Sequence, residues 1–450
     1  MNRIGRLWSQ RGVGLSVYLS PQLFWHLPVL RYPAFALRGV NKGVQQGGGM
    51  HQIELDRAME FVSSNPTPFF VFDLSKVRNE YEHLANAFPD ASIHYAVKAN
   101  NHPILLSTLR DAGSGFEVGS WEEIDLLRRL GVSSRKIIFS APVKIPEHIS
   151  RAYSVGIDTY ICDSETELAK LSKLAPGSKI LVRIRVSNQE SLLPLNSKFG
   201  ASLEESLELL KKCLILGLIP HGVAFHVGSQ CTSIDAWSSA LEEAFLLWTE
   251  SNLPLACLDI GGGFPVRYGE PVPEIADIAE TVLKWLSFFP AETELLMEPG
   301  RRVVATGGIL VATVIGKATR QDKEWLYLDV GALHGLLESL ESGFSLHYPV
   351  RVLKKTNGRL GPRRKYVLSG PTCDPNDTIL KEVSLPEPEI GDRVIISNVG
   401  AYSLVYATEF MSLPRPKAYY VLSEEGGGEN AIHKDPITNR ERAETTRRTG

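Results

Sequence analysis

Eight short apolar segments alternate with amphipathic stretches between residues 92 and 301, and this alternation limits the fold more than any other feature of the sequence. The segments are rich in β-branched and aromatic residues, and they cover residues 92–98, 115–120, 136–141, 158–163, 179–186, 222–229, 256–263 and 294–300. The stretches between them have helical periodicity, and several begin with a Ser or Asp that can cap a helix, at 120–131, 163–175, 202–217 and 235–250. Eight strands that alternate with helices predict a (β/α)8 TIM-like barrel.

The sequence changes on both sides of this region, which indicates how the chain is divided. After Arg301, strand-like runs follow one another with few helical stretches, which predicts a second, mainly β domain. No acidic residue precedes Glu54, so an organellar presequence, a basic arm and translated upstream sequence all remain open for the first segment. We predict a basic extension that is disordered or not native over 1–49, a barrel over 68–307, a β domain over 50–67 and 308–423, and a disordered polar tail over 424–450.

Composition excludes several classes of partner. The net charge of −3 provides no basic surface for nucleic acid, and no apolar run is long enough to predict a membrane span. The five cysteines are scattered and show no CxxC spacing, which argues against a disulfide scaffold or a zinc cluster and favours a reducing compartment. We therefore expect a cytoplasmic protein that binds no metal, nucleic acid or membrane.

Polar residues follow the predicted strands at their carboxyl ends, where the active sites of such barrels lie. Each of them alone has an ordinary interpretation, such as a surface lysine at a strand end or a satisfied core histidine. Their joint occurrence at one end of one barrel favours a functional site instead. The residues are Lys98, Glu117, Arg183, His226, Ser229, Gly261, Gly262, Gly263, Glu298 and Arg301.

These residue types suit one cofactor. Three consecutive glycines allow backbone N–H groups to surround a phosphate, and Arg301 and Ser229 can add donors to it. The amine of Lys98 can form a Schiff base with an aldehyde. A carboxylate such as Glu298 can hold a protonated pyridine nitrogen, and the imidazole of His226 can stack on the ring. Phosphate, aldehyde and pyridine are the three functional parts of pyridoxal 5′-phosphate (PLP).

Seven motifs, in order and without large gaps from about Pro66 to Leu422, carry a family resemblance. They are "HYAVKAN", "FEVGSWEE", "FHVGSQ", "LDIGGGFP", "EPGRRVVA", "SGPTCDPND" and "NVGAYS". Together they resemble the ornithine/diaminopimelate/arginine decarboxylase family, which are fold-type III PLP enzymes with an alanine-racemase-like fold. Within this family the sequence is most similar to ornithine decarboxylases of the bacterial type.

The resemblance implies a role for each site residue. Lys98 would carry the cofactor, Glu298 would pair with its pyridine nitrogen, and His226 would stack on its ring. Ser229, the three glycines, Arg301 and Tyr402 would bind phosphate, while Glu117, Glu123 and Arg183 would line the cofactor site. Family members are head-to-tail homodimers with shared active sites. This implies that Lys198 lies near the interface, and that Cys373 and Asp374 enter the neighbouring subunit's site. Phe410 matches an aromatic residue of the family's site.

The implied reaction is the decarboxylation of a basic L-amino acid, with ornithine converted to putrescine for polyamine biosynthesis. Cys373 would deliver a proton to the α-carbon, and Asp374 would pair with the distal ammonium of the substrate. A second acidic contact falls among Glu338, Glu341 and Ser342, and Glu341 is the candidate that we carry forward. The alternatives are lysine, diaminopimelate or a modified or carrier-tethered amino acid as substrate, an amino-acid racemase, and an inactive decarboxylase-like binding protein.

Overall fold

The structure is a computed structural model that describes residues 30–31, 62, 64–354, 361–422 and 431–434. As far as the end of the barrel, the elements are β1 (Leu30–Arg31), β2 (Phe69–Asp73), α1 (Leu74–Ala87), β3 (Ser92–Ala96), α2 (Pro103–Asp111), β4 (Gly115–Val118), α3 (Trp121–Arg129), β5 (Ile137–Phe139), α4 (Pro146–Ser154), β6 (Thr159–Cys162), α5 (Glu165–Leu174), β7 (Lys179–Arg183), β8 (Ser191–Leu193), α6 (Leu203–Ile215), β9 (Ile219–Ala224), β10 (Ser229–Cys231), α7 (Ile234–Ser251), β11 (Cys257–Asp259), α8 (Ile275–Leu286), β12 (Glu294–Met297) and α9 (Arg301–Val304). They are followed by β13 (Gly308–Arg320), β14 (Lys323–Leu328), α10 (Glu338–Glu341), β15 (Val350–Leu353), β16 (Arg363–Ser369), β17 (Thr378–Pro386), β18 (Arg393–Ser397), β19 (Lys417–Leu422) and β20 (Ala431–Lys434).

Eight parallel strands close into a barrel in the order β11-β12-β3-β4-β5-β6-β7-β9, which confirms the predicted barrel and each of its eight strands. Side chains alternate between two apolar environments along these strands. One face packs against the surrounding helices, and the other forms a separate lumen layer. The lumen layer consists of Ile138, Ile161, Leu181, Ala224, Cys257 and Leu296.

Two of the four predicted helix caps form, at Ser120 and Ser202, whereas α5 and α7 begin after Ser164 and Ser233 without a side-chain cap hydrogen bond among the described residues. The Asp73 side chain accepts hydrogen bonds from the backbone N–H groups of Ser75 and Lys76 at the start of α1. Ser202 and Glu205 form a complete capping box at α6, and Ser120 caps α3. These contacts satisfy donors that the first helical turn leaves unpaired. No described helix is long and apolar enough to cross a lipid bilayer.

A second sheet of ten described strands contains the path β1-β20-β19-β2-β13-β14-β16-β17, and β18 pairs with both β13 and β15. The strand-like runs predicted after Arg301 form strands here, namely β13, β14, β15, β16, β18 and β19, and β17 was not predicted. Two further differences concern boundaries. β2 lies beyond residue 68, where the prediction began the barrel, yet it pairs with β13 and β19 in this sheet. β20 forms a strand within the tail predicted to be disordered, because its residues pair with β19.

The barrel and the second sheet meet at the turn that carries Lys98. The backbone N–H of Tyr402 donates to the carbonyl of Ala99 at 2.9 Å. The side chain of Asn100 donates to the carbonyl of Gly400 at 3.3 Å. The loop that follows β18 is therefore fixed against the carboxyl end of β3, and Tyr402 is brought to the barrel mouth.

Candidate active site

The polar residues of the site follow from the alternation of side chains along the barrel strands. Two positions beyond each residue of the lumen layer, the chain returns to the same face. All six of these positions are polar: Ser140, Asp163, Arg183, His226, Asp259 and Glu298. Lys98 and Glu117 face the same side as these six residues, because the residues next to them along β3 and β4 pack outward against the helices. A ring of polar groups therefore lies directly above the apolar lumen layer.

Three members of this ring were missed by the motif-based prediction: Ser140, Asp163 and Asp259. The signal that identifies them is the step of two residues from a buried apolar strand position. Asp163 accepts a hydrogen bond from the backbone N–H of Gly200 at 2.8 Å, and Asp259 accepts one from Gly261 at 2.8 Å. Both carboxylates therefore fix loops that border the site.

Lys98 lies in a single 3-10 turn, Val97–Ala99, directly after β3. Its Nζ is 2.7 Å from Oε2 of Glu117, whose side chain is 1% exposed, whereas the Lys98 side chain is 53% exposed. Removal from water is the largest single influence on Lys98, and it lowers the pKa. The charges of Glu117, Tyr402 and Glu298, with the hydrogen bond to Glu117, together outweigh it, so the pKa of Lys98 lies above its usual value. The ammonium group is therefore held at the mouth of the barrel, where a small molecule can reach it.

Glu298 is the central carboxylate of the site. Burial and the nearby charge of Glu117 raise its pKa to about 7, although Lys98 and Arg183 act in the opposite direction. Asp259 is completely buried beside it, and burial together with Glu298 raises the pKa of Asp259 well above its usual value. Ionising both of these buried neighbouring carboxyl groups costs free energy, so the pair readily retains one proton.

His226 provides a neutral aromatic face beside these carboxylates. Its Nδ1 accepts a hydrogen bond from the backbone N–H of Gly228 at 2.9 Å. Burial, with the charges of Arg183 and Lys98, lowers the pKa of His226 well below its usual value. Gly262 lies against this ring, since a Cβ there would be 3.1 Å from Nε2 of His226 and 2.7 Å from the carbonyl of Glu298. A glycine is thus required for the backbone to approach the imidazole.

Arg301 lies at the first position of α9 and is 4% exposed. Its Nε and Nη2 donate to Oγ of Ser229 at 3.2 and 3.0 Å, and its Nη1 donates to the hydroxyl of Tyr268 at 3.1 Å. Glu338 accepts from both Nη1 and Nη2. The Tyr402 ring lies over the guanidinium, with its centroid 5.2 Å from Cζ. Sequence reasoning missed Tyr268, and it considered Glu338 only as a substrate contact.

Arg183 belongs to the polar ring, and Glu123 lies in the first turn of α3. The Arg183 guanidinium is 5.6 Å from the centroid of the Phe199 ring, and burial lowers the pKa of Arg183. Lys198 lies over the same ring at 5.0 Å. Glu123 accepts a hydrogen bond from Gly119 at 2.7 Å, and burial raises the pKa of Glu123 to about 7.

The predicted substrate residues form a separate group on the second sheet. Cys373 is exposed in the loop between β16 and β17, and its Sγ is 3.9 Å from Sδ of Met411. Phe410 precedes Met411 and is also exposed. Oδ1 of Asp374 accepts from the backbone N–H of Asn376 at 2.8 Å. In the described part of the chain, no hydrogen bond or ion pair joins this group to Lys98, Glu298 or Arg301.

The group around Lys98 fits PLP on structural grounds. Oε1 of Glu298 is buried and has no hydrogen-bond partner among the described residues, so it can accept the N–H of a protonated pyridine. Gly261 and Gly263 have left-handed backbone conformations, with φ of 63° and 105°, in the loop after β11. Such a loop, together with Ser229 and Arg301, is a suitable site for a phosphate. Lys98 would supply the amine for the aldehyde.

Comparisons with known proteins agree with this assignment. The family model described as "Pyridoxal-dependent decarboxylase, pyridoxal binding domain" matches residues 74–305. A lysine/ornithine decarboxylase of Selenomonas ruminantium is 37% identical over 349 residues, covering 77% of this chain and 87% of the relative. An ornithine decarboxylase of Rattus norvegicus is 33% identical over 389 residues, covering 82% and 84%.

The fold comparison gives the same result. The crystal structure of a lysine/ornithine decarboxylase from Vibrio vulnificus, complexed with cadaverine, is 31% identical and covers 84% of this chain and all of that chain, with a TM-score of 0.73. The family match spans more than half of the sequence and contains Lys98, His226, Glu298 and Arg301. The chain therefore belongs to the pyridoxal-dependent decarboxylases, and it is an amino-acid decarboxylase with PLP as its cofactor.

Proposed function

We propose that this enzyme decarboxylates L-ornithine to putrescine, and that Lys98, His226, Glu298 and Arg301 hold its cofactor. The observation that carries the cofactor assignment is the unpartnered, buried Oε1 of Glu298 in the same polar ring as Lys98. When bound, PLP supplies an aldehyde that joins to amines and a ring that accepts the electron pair left by departing CO2. The remaining chemistry belongs to side chains of this chain.

Glu298 holds a proton at the pyridine nitrogen. In a site of low dielectric, an ionised carboxylate beside a pyridinium is strongly favoured over an isolated carboxylate. His226 is uncharged, so it covers the ring face without adding a positive charge that would compete with the pyridinium. Lys98 would hold the cofactor through its amine, and Arg301 with Ser229 would bind the phosphate.

The preference for a cationic substrate rests on the polar candidates in and after α10. Glu338 is occupied by Arg301, as described above. Ser342 is buried, and its hydroxyl donates to the carbonyl of Ser339 at 3.3 Å and accepts from Leu346 at 3.4 Å. This leaves Glu341, which is exposed, as the free carboxylate of this segment. Together with Asp374 it would supply negative charge for a distal ammonium. The names of the relatives, lysine/ornithine decarboxylase and ornithine decarboxylase, support a substrate of this class.

We propose further that the active site is shared between two subunits. Cys373, Asp374 and Phe410 have no hydrogen bond or ion pair to the cofactor residues of their own described chain. A head-to-tail dimer would bring them to the partner's barrel mouth, where Cys373 would donate a proton to the α-carbon. The exposure of Cys373 and Phe410 supports this arrangement, because both side chains are free to be covered by a second subunit.

The test is a steady-state assay of the PLP-loaded protein against L-ornithine, L-lysine, L-arginine and diaminopimelate, with CO2 and amine measured separately. We expect kcat/KM to be highest for ornithine, and Lys98→Ala to abolish both products. A higher kcat/KM for lysine would make lysine the preferred substrate, which is still a cationic amino acid. A preference for diaminopimelate, or exchange of the α-proton without release of CO2, would contradict the proposal.

A further inference from the structure

Arg301 makes more contacts than binding a phosphate requires. A guanidinium group has five N–H donors, and each of the five has an acceptor here. Two contacts go to Ser229, two to Glu338 and one to Tyr268. Arg301 and Glu338 have side-chain exposures of 3% and 5%, so water does not screen this pair.

The five contacts divide the guanidinium into two edges. Glu338 spans the edge formed by Nη1 and Nη2, in the two-point geometry that carboxylates prefer with arginine. Ser229 occupies the edge formed by Nε and Nη2. A hydroxyl both donates and accepts, so Ser229 can turn from arginine to a phosphate oxygen, whereas an ionised carboxylate cannot.

We infer that Glu338 is a positioning residue for cofactor binding: with Tyr268 it fixes Arg301 so that the Nε–Nη2 edge faces the phosphate site. This inference rests on the proposed role of Arg301 in binding phosphate. A long arginine side chain has many rotamers, and fixing one of them in advance reduces the entropy that binding must overcome. The ring of Tyr402 restrains the guanidinium face, but not its rotation within the plane.

Removing the Glu338 carboxylate would have two opposing effects on phosphate binding. Glu338 neutralises Arg301, so removing the carboxylate would add net positive charge near a phosphate. The same change frees the guanidinium to rotate and leaves it buried without its counter-ion. Arginine binds phosphate through directed hydrogen bonds rather than as a point charge, so we expect the loss of orientation to dominate.

The experiment compares two ligands that differ only in the phosphate. Apoprotein is titrated with PLP and with pyridoxal, and bound ligand is followed by its absorbance. In Glu338→Gln we expect the Kd for PLP to rise about tenfold, with the Kd for pyridoxal unchanged. The matched control is Glu80→Gln, because Glu80 pairs at 3.0 Å with Arg302, the next residue of α9. This control should leave both constants unchanged.

Arg301→Ala tests the phosphate role of Arg301 separately from the positioning role of Glu338. If it weakens PLP no more than pyridoxal, the phosphate role of Arg301 is wrong. If it weakens PLP selectively but Glu338→Gln does not, or if Glu338→Gln tightens PLP, the positioning role of Glu338 is wrong. Should Glu338→Gln fail to fold, Tyr268→Phe removes one contact to Nη1 and is expected to weaken PLP selectively by about threefold. An unchanged ratio in that variant would overturn the inference.

Discussion

At the scale of single residues, the active site is controlled by buried charge. Glu117, Asp259 and Glu298 place three carboxyl groups in one end of the barrel, and the charges of Glu117 and Glu298 act on Lys98. Lys98 is half exposed, so its ion pair with Glu117 is partly screened, whereas Glu298 and Asp259 are not. Burial therefore holds the pKa values of both Glu298 and Asp259 above their usual range.

The first prediction concerns the pH dependence of stability. The folded apoprotein raises the pKa of Glu298 to about 7 from its ordinary value of 4.5. Because the folded state binds the Glu298 proton more tightly than the unfolded state, the protonated carboxyl stabilises the fold. This stabilisation is fully present below about pH 4.5 and is lost as pH rises through about 7. We expect the melting temperature of the apoprotein to fall between about pH 5 and about pH 8, and Glu298→Gln to flatten that fall.

The matched control for this measurement is Glu292→Gln, which changes an exposed carboxylate in the loop before β12. It should retain the pH dependence of the parent protein. A Glu298→Gln apoprotein that loses as much stability as the parent over this range would show that Glu298 is not responsible.

The second prediction concerns Cys373. Cys373→Ala removes the proposed proton donor but none of the groups that assist loss of CO2. With ornithine as substrate, we expect putrescine formation to fall at least tenfold more than CO2 release, because protonation then occurs at the wrong atom. Separate assays of CO2 and putrescine test this, and an equal loss of both would contradict the role of Cys373.

At the scale of elements, sequence reasoning recovered the barrel because period-two alternation and helical periodicity are independent signals. It extended most strands beyond their carboxyl ends, for example to Ser120 where β4 ends at Val118. Lys98, His226 and Glu298 lie in these overextended segments, which retain strand-like side-chain parity but leave the hydrogen-bonded ladder. Glu117 and Arg183, in contrast, are still paired within their strands. β2 was assigned to no strand, since "FFVFD" is a uniformly buried run that has no alternation to identify it.

Local periodicity in the sequence could not predict which side chains pair with each other across the site. Glu338 and Arg301 are 37 positions apart, and only the folded chain shows that they neutralise each other. From the sequence, Glu338, Glu341 and Ser342 therefore all competed for the second acidic contact, although Glu341 was the candidate carried forward. The proposed dimer contacts of Cys373 and Asp374 likewise depend on a second chain, so they came from the family resemblance alone.

The third prediction tests the loop after β11. A Cβ on Gly261 would lie 2.3 Å from the carbonyl oxygen of Phe225, at a φ of 63°. Gly177 has a φ of 72° but nothing within 4 Å of the equivalent position. We expect Gly261→Ala to lower the free energy of unfolding of the apoprotein by about 2 kcal/mol more than Gly177→Ala, because only Gly261 adds a clash to the backbone strain.

Denaturant unfolding of the two variants measures this difference directly. Equal destabilisation would mean that the loop after β11 moves to accommodate the methyl group. In that case, close packing would not explain the glycine at position 261.

At the scale of the whole molecule, the two sets of functional residues lie on different folding units. Apart from Tyr402, which lies in the loop after β18, the proposed cofactor residues belong to the barrel, while Cys373, Asp374 and Phe410 belong to the second sheet and its loops. If the active site is shared, each subunit contributes one unit to each of two sites. Activity then requires assembly as well as folding.

The fourth prediction follows from this division. Lys98→Ala and Cys373→Ala homodimers should each be inactive in putrescine formation. Mixing them produces heterodimers in which one of two sites contains both residues, so about a quarter of wild-type activity should return after random exchange. Co-purification with two different tags confirms the heterodimers. An absence of activity in the confirmed heterodimers would contradict the shared site.

The pairing of β2 with β13 also has a consequence for the order of folding. Phe72 and Gly308 are partners in this ladder, although their positions in the chain differ by 236. Closing an unstructured loop of that length costs about 5 kcal/mol in chain entropy. The folded barrel removes this cost because it brings its own ends together: a Cβ on Gly307 would be 3.1 Å from the carbonyl of Asp73. The second sheet is therefore expected to assemble on a barrel that has already closed, and slow barrel closure would delay both units.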